Sequence, residues 1–330
     1  MNARYDVVAI GNAIVDVIAS ATDDFIDSEK LSRGSMQLID APRATELYGK
    51  MGPGREVSGG SAANTIAGMA ALGRKCGFIG QVAKDQLGDV FAHDIRAIGV
   101  DFGTVAREAE PPTARCLILV TPDGQRTMNT FLGASQFLPA AAIDHDLIAD
   151  SAILYLEGYL WDPEEPRAAM RAAIGIARGA GRKVAFTLSD AFCISRHGDD
   201  FRKLIDEGMI DILFANDAEV HALMGTDDVA SAVTALSAKV PTLVVTHGAN
   251  GAEAHSGGEH ARVAAEPIDK VVDTTGAGDL FAAGFLAGQA EGRSLKDSLT
   301  MGAICAAEVI SHYGPRPEAD LRALVDLRLN

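Results

Sequence analysis

Asp273-Thr274-Thr275-Gly276-Ala277-Gly278-Asp279 joins an extended apolar segment, Lys270-Val271-Val272, to a run of small residues from Leu280 to Gly288 that has helical composition. A Gly-Ala-Gly turn feeding a helix leaves the first backbone N–H groups without intrahelical acceptors. Together with the positive end of the helix dipole they make a site for an anion or a developing negative charge. Gly276 and Gly278 let the backbone approach a ligand closely. Asp279 then sets a carboxylate at the mouth of that site, where it would repel a phosphate held passively. The arrangement is useful if the carboxylate takes a proton from a hydroxyl that attacks phosphorus beside it. The competing reading is a Gly-rich turn in which Asp273 or Asp279 only caps the helix.

A second Gly-rich helix start stands far upstream, in Ser58-Gly59-Gly60-Ser61-Ala62-Ala63-Asn64. Its glycines and the N–H groups behind them suit polar ligand groups, and Asn64 would face a ligand from the first turn. A Ser-capped Gly loop is the alternative. Nearer the start, the apolar run Tyr5–Ile10 ends at Gly11 and reads as a buried parallel strand. Asn12 and Asp16 follow, four apart, and on a strand both side chains would share one face. A donor–acceptor amide beside an acceptor carboxylate suits sugar hydroxyls, whereas an Asx turn would need no ligand.

The second half alternates expected strands (151–156, 183–188, 210–215, 242–246) with expected helices (166–180, 197–207, 217–224). That is βαβ repetition, so the fold class is α/β, a doubly wound, mostly parallel sheet with helices on both faces. Ligands bind such sheets at the carboxyl ends of the strands. The residues there are Asn12, Glu157-Gly158-Tyr159, Ser189, Asn216, Thr246-His247-Gly248 and the Asp279 loop. Two strand-rich stretches, about 16–40 and 112–133, interrupt the pattern; the second carries the hairpin-turn residues Pro122-Asp123-Gly124-Gln125. Paired as a small sheet over the crevice, they would form a lid.

Asn216 and Glu219 are spaced for one helical face and offer oxygen ligands suited to hydrated Mg²⁺ beside nucleotide phosphates. A capping box explains the same spacing. Thr246, Gly248 and Gly251 form a further strand-end loop suited to nucleotide contact. Arg126, beside the hairpin turn, either closes over a transferring phosphate or is a solvated surface charge.

At 330 residues and 48% hydrophobic content the chain can bury a large core. Its net charge of −16 argues against nucleic acid and anionic membranes as partners. No apolar run reaches bilayer length, and the first residues pass straight into a strand without a leader pattern. Cys76, Cys116, Cys193 and Cys305 lack metal-ligand spacing and fit buried thiols in a reducing compartment, so a cytoplasmic protein is expected. The chain has no Walker loop and no protein-kinase lysine motif. Gly11-Asn12-Ala13-Ile14-Val15-Asp16 is not a dinucleotide fingerprint, which disfavours an oxidoreductase.

The heptapeptide resembles the D-T-x-G-A-G-D signature of the ribokinase family, the PfkB-type carbohydrate and nucleoside kinases. Gly11 to Asp16, Gly59 to Asn64 and the N-x-x-E of Asn216–Glu219 resemble the family in the same order. The resemblance implies one Rossmann-like domain over residues 1–330 with a β-sheet lid, and transfer of the ATP γ-phosphate to a primary hydroxyl. It implies Asp279 as catalytic base, Gly276, Ala277 and Gly278 as anion hole, and Asn216 with Glu219 organising Mg²⁺. A monovalent cation such as K⁺ is a further candidate. Within the family the chain is most similar to adenosine kinases. That implies Asp16 and Asn64, with Gly60, at the ribose 2′- and 3′-hydroxyls, and Gln37 with Phe131 or Tyr159 at the purine; Asn12, Gly59 and Ser61 are further substrate-binding candidates. Ala63, Asp190 and Trp161 depart from that pattern near the expected base. A sugar kinase for ribose, fructose or a keto-sugar acid is the alternative acceptor reading, and a catalytically silent nucleoside- or sugar-binding protein the alternative of another class. The expected partner is a small molecule, acted on by a monomer or homodimer.

Overall fold

The computed structural model describes residues 3–108 and 110–329. Its strands are β1 (Tyr5–Ile10), β2 (Ile14–Ser20), β3 (Met36–Leu38), β4 (Arg55–Gly59), β5 (Cys76–Ile79), β6 (Ala114–Val120) and β7 (Arg126–Phe131) in the first half. The second half adds β8 (Ser151–Glu157), β9 (Lys183–Thr187), β10 (Ile212–Asn216), β11 (Thr242–Thr246), β12 (Ala252–Ser256) and β13 (Glu259–Val263). The larger sheet has the order β13-β12-β11-β10-β9-β8-β1-β5 and is parallel except at its β11-β12-β13 edge. The doubly wound, mostly parallel sheet expected from βαβ repetition is therefore present.

β1 shows why. Val7, Val8, Ala9 and Ile10 are all buried, because helices cover both faces. Val7 and Ala9 face a core packed by helices Ser61–Ala71, Ala277–Ala290 and Leu295–Val309. Val8 and Ile10 face the opposite core, with helices Glu164–Gly179 and Ala191–Asp206.

The smaller sheet, β3-β7-β6-β2-β4, takes strands from both expected insertions. Its first contribution differs from the expected 16–40. That stretch contains the helix Asp23–Ser28, capped by Thr22 and opened by Asp23 and Asp24, and the sheet extends past it to β4. Thr22-Asp23-Asp24 is a helix-start signal that the strand reading passed over. The β6–β7 hairpin turns at Pro122–Gln125 as expected. The β12–β13 hairpin turns at Gly257-Gly258, a two-residue hairpin signal that the strand reading passed over. No helix among the described residues is long and apolar enough to cross a membrane.

Candidate active site

A cavity of about 480 Å³ lies between the two sheets. The parallel strands deliver their carboxyl ends to it: Asn12 after β1, Glu157 at the end of β8, Thr187 of β9, Asn216 of β10 and Thr246 of β11. β2, β3, β6 and β7 supply the opposite wall.

Gly276 holds φ +76°, which a side chain would strain, and so starts the helix Ala277–Ala290 abruptly. Among the described residues the N–H groups of Gly276, Gly278 and Asp279 have no protein acceptor; that of Ala277 donates to the Thr274 carbonyl at 3.3 Å. Gly276 and Gly278 thus offer the expected free donors, whereas the Ala277 N–H is partly committed. Behind them, Gly68 seats the helix Ser61–Ala71 against Leu280 and Ala283. That contact brings two helix starts together although they lie more than 200 residues apart in sequence. Ser61 Oγ donates to Asp279 Oδ1 at 2.6 Å, and Asn64 Nδ2 to Oδ2 at 3.0 Å. Withdrawal from water raises the Asp279 pKa, opposed by these two hydrogen bonds and by Arg316. The Asn64 Oδ1 atom is buried without a partner.

Asp16 is buried on β2, and burial pushes its pKa up to about 7, with Arg316 opposing and Asp279 adding to the rise. A Cβ at Gly59 would stand 2.3 Å from Asp16 Oδ2, so only glycine fits beside that carboxylate. Gly59 shapes the site without lining it; Gly60, Ser61 and Asn64 line it.

Asn216 and Glu219 do form a capping box: the Glu219 N–H donates to Asn216 Oδ1 at 2.9 Å, and Asn216 Nδ2 to Glu219 Oε1 at 2.6 Å. Both also line the cavity. Glu219 is buried, makes no salt bridge among the described residues, and has its pKa raised to about 7 by burial. Buried oxygen donors with no protein cation nearby fit a hydrated Mg²⁺. Thr246 lines the cavity, but Gly248 and Gly251 do not. They turn the chain into β12, with Gly251 pressed against the Val263 carbonyl.

Two expected base contacts are displaced. β3 places Met36 and Leu38 on the cavity wall, so Gln37 between them faces away and donates to Asn129 Oδ1 at 2.6 Å. Phe131 is buried but does not line the cavity either. Strand alternation is the reason in β3: neighbours point to opposite faces. In β7 the cavity side carries Arg126, Met128 and Thr130, while Phe131 belongs to the other register. Tyr159 does line the cavity, and its hydroxyl donates to the Ser189 carbonyl at 3.1 Å. Trp161 lies in the core against Phe186 and Phe201. Ala63 is likewise buried, and Asp190 caps the helix Ala191–Asp206 while reaching the cavity.

Arg126 lines the cavity without being free. Its Nε lies 2.6 Å from Asp273 Oδ1, and Nη2 donates to Thr274 Oγ1 at 3.2 Å. Asp273 also accepts from the Thr275 N–H and hydroxyl and from the Gly314 N–H. The heptapeptide loop is thus fastened to the smaller sheet through one ion pair.

Glu157, expected only as a strand-end residue, and Arg316, which the sequence reading did not single out, hold this geometry. Glu157 accepts from the Asn12 N–H and Nδ2 and from the Ala62 N–H, at 2.7–2.8 Å. Burial raises its pKa to about 7 despite those bonds. An acidic residue closing an apolar strand was the available signal. Arg316 donates from Nε to the Ser58 carbonyl, from Nη1 to the Ala63 carbonyl and from Nη2 to Ser58 Oγ. Burial lowers its pKa to about 10, while Asp16 and Asp279 favour its charge. In Gly314-Pro315-Arg316-Pro317 nothing pointed to the site.

The sequence pattern of the pfkB family carbohydrate kinases matches residues 6–321. A fructokinase of Klebsiella pneumoniae is 31% identical over 245 residues, 72% of this chain and 80% of the relative. The solved adenosine kinase of Sinorhizobium meliloti superposes with a TM-score of 0.93 at 47% identity, covering 98% of this chain and 99% of that one. A probable sugar kinase protein of Rhizobium etli CFN 42 gives the same TM-score, 0.93, and identity, 47%, covering 98% of each chain. The chain thus belongs to the pfkB family of carbohydrate kinases and is a phosphotransferase of that family.

Proposed function

We propose that this kinase transfers the γ-phosphoryl group of ATP to the 5′-hydroxyl of a purine nucleoside, with adenosine the first candidate. One observation carries the choice of a nucleoside: the division of the cavity. Asp16, Ser61, Asn64, Arg126 and Asp279 supply polar lining, while Met36, Leu38, Ile118, Met128 and Leu132 give the smaller sheet's wall an apolar stretch. A free sugar is hydroxylated around its rim and gains little from such a wall. A nucleoside divides the same way, with a polar ribose and an apolar base face that methionine and aliphatic side chains can cover.

In this reading Asp16 accepts from ribose hydroxyls, and the unpartnered Asn64 Oδ1 takes another. Asp279, oriented by Ser61 and Asn64, accepts the 5′-hydroxyl proton as the O5′–P bond forms and the bridging P–O bond to ADP breaks. The free N–H groups of Gly276 and Gly278, at a helix start, stabilise charge on the phosphoryl oxygens. Asn216 and Glu219 would hold Mg²⁺ through water, and the ion would neutralise phosphate charge. Thr246 lies on the nucleotide side. The smaller sheet serves as a lid over one kinase domain, with Arg126 joining it to the catalytic loop and excluding water on closure. Four buried, free cysteines support a reducing, cytoplasmic setting.

The second reading is a sugar acceptor, favoured by the fructokinase relative and the probable sugar kinase structure. ADP release with Mg-ATP, measured against adenosine, inosine, guanosine, ribose and fructose, separates them. The nucleoside reading expects adenosine to be turned over far faster than either sugar. Turnover of ribose or fructose with no nucleoside activity would overturn it while leaving the phosphoryl transfer in place.

A further inference from the structure

At the edge of the larger sheet, away from the cavity, the β12–β13 hairpin gathers Glu253, His255 and His260 on one face. Glu253 and His255 are two apart on β12, and His260 stands directly across from His255 in the register. The two imidazoles stack, with centroids 4.3 Å apart and planes at 18°. Glu253 Oε2 lies 2.8 Å from His260 Nε2 and 3.5 Å from His255 Nε2, and one ligand atom from each of the three residues falls within 4.8 Å of the others. His255 Nε2 is buried with no hydrogen-bond partner. A buried ring nitrogen left without a partner is costly. Directed at a carboxylate and a second imidazole, it has the surroundings of a metal ligand.

We propose that Glu253, His255 and His260 bind a divalent transition metal of the Zn²⁺ class. Two imidazoles and a carboxylate are borderline donors, suited to Zn²⁺ and its neighbours rather than to Mg²⁺, which takes oxygen. Around a tetrahedral ion with bonds of ~2.0–2.1 Å, ligand atoms stand about 3.3 Å apart. Small χ rotations therefore convert the present spacing into three ligands, with water in the fourth position. The hairpin supplies the rigidity, since its two strands are already hydrogen-bonded.

The site also touches the catalytic framework. Glu253 Oε1 lies 3.2 Å from His247 Nε2, and His247 Nδ1 lies 2.6 Å from Asp217 Oδ1, next to Asn216. An outer partner of this kind orients a ligating carboxylate, and here it ties the metal to the turn carrying Asn216 and Glu219.

The test is calorimetric titration of the metal-stripped, full-length protein with Zn²⁺, repeated with Co²⁺ to read tetrahedral d–d bands. One equivalent of Zn²⁺ should bind and raise the thermal unfolding midpoint. His255→Ala and His260→Ala should each weaken binding by at least the ~10–100-fold that loss of an outer partner costs, and should abolish the Co²⁺ bands. His260 is half-exposed, so His260→Ala should keep the wild-type circular dichroism and metal-free midpoint, which separates loss of a ligand from loss of folding. No stoichiometric binding to the wild type, or wild-type affinity retained in both variants, would overturn the proposal. Either result leaves the kinase reading untouched, because the acceptor panel is run without Zn²⁺.

Discussion

On the polar side of the cavity, Ser61, Asn64 and Asp279 project from the first turns of two helices, and their positions follow from glycine turns that the sequence spells out. On the apolar side, Met36, Leu38, Ile118 and Met128 project from strands, where a shift of one residue moves a side chain to the opposite face. The helix starts sit where their motifs say because Gly60 and Gly276 take the positive φ that opens each helix, and a side chain at Gly59 would meet Asp16. The wall residues sit where strand pairing puts them, and pairing is a property of the assembled sheet. Chemistry and acceptor choice are thus encoded differently in this kinase.

The sharpest way to break this contrast is at the polar side. Asp279→Asn should lower kcat by ~10²–10⁴-fold, the range for a lost general base, while nucleoside still binds. Near-normal turnover in an ADP-release assay would remove Asp279 from that role. Next in size, Arg316→Met removes the donors to the Ser58 and Ala63 carbonyls and to Ser58 Oγ. It should destabilise the protein by about 3 kcal/mol in urea unfolding, in the range for losing charge-assisted hydrogen bonds to buried acceptors. A loss below about 0.5 kcal/mol would mean that Arg316 is a surface charge.

The pH profile tests both aspartates. Asp16 and Asp279 have raised pKa values, and in the proposed mechanism both act as carboxylates, so kcat/KM should rise with pH and its acid limb should lie near 7 for Asp16. A limb near 4, the ordinary carboxylate range, would contradict that. The stability linkage has the opposite sign. The folded pKa of Asp16 and Glu157 lies above the unfolded value, so their contribution is full at acid pH and declines as pH rises through about 7.

The smallest effects sharpen the apolar side. Met128→Gln should raise the adenosine KM by about tenfold, as expected for loss of roughly 1.4 kcal/mol of apolar contact, and leave any ribose turnover unchanged. Gln37→Ala, one residue from two wall side chains but facing Asn129, should change KM by less than about twofold. A larger effect at Gln37 than at Met128 would invert the assignment of the two strand faces.

Local signals in the chain determined the α/β class, the strand-end row Asn12, Glu157, Asn216 and Thr246, and the helix start carrying Asp279. Buried parallel strands are apolar throughout, and helix-opening glycines are required by backbone geometry, so both can be read residue by residue. The capping box at Asn216–Glu219 was legible for the same reason. Only the tertiary structure decided that Ser61 and Asn64 grip Asp279, that Arg126 is spent on Asp273, and that Met36 and Leu38 rather than Gln37 and Phe131 face the cavity. It alone drew Arg316 from the C-terminal tail onto the Ser58 and Ala63 carbonyls. These are contacts between distant segments, set by helix packing and strand register, and no short stretch of sequence contains both partners.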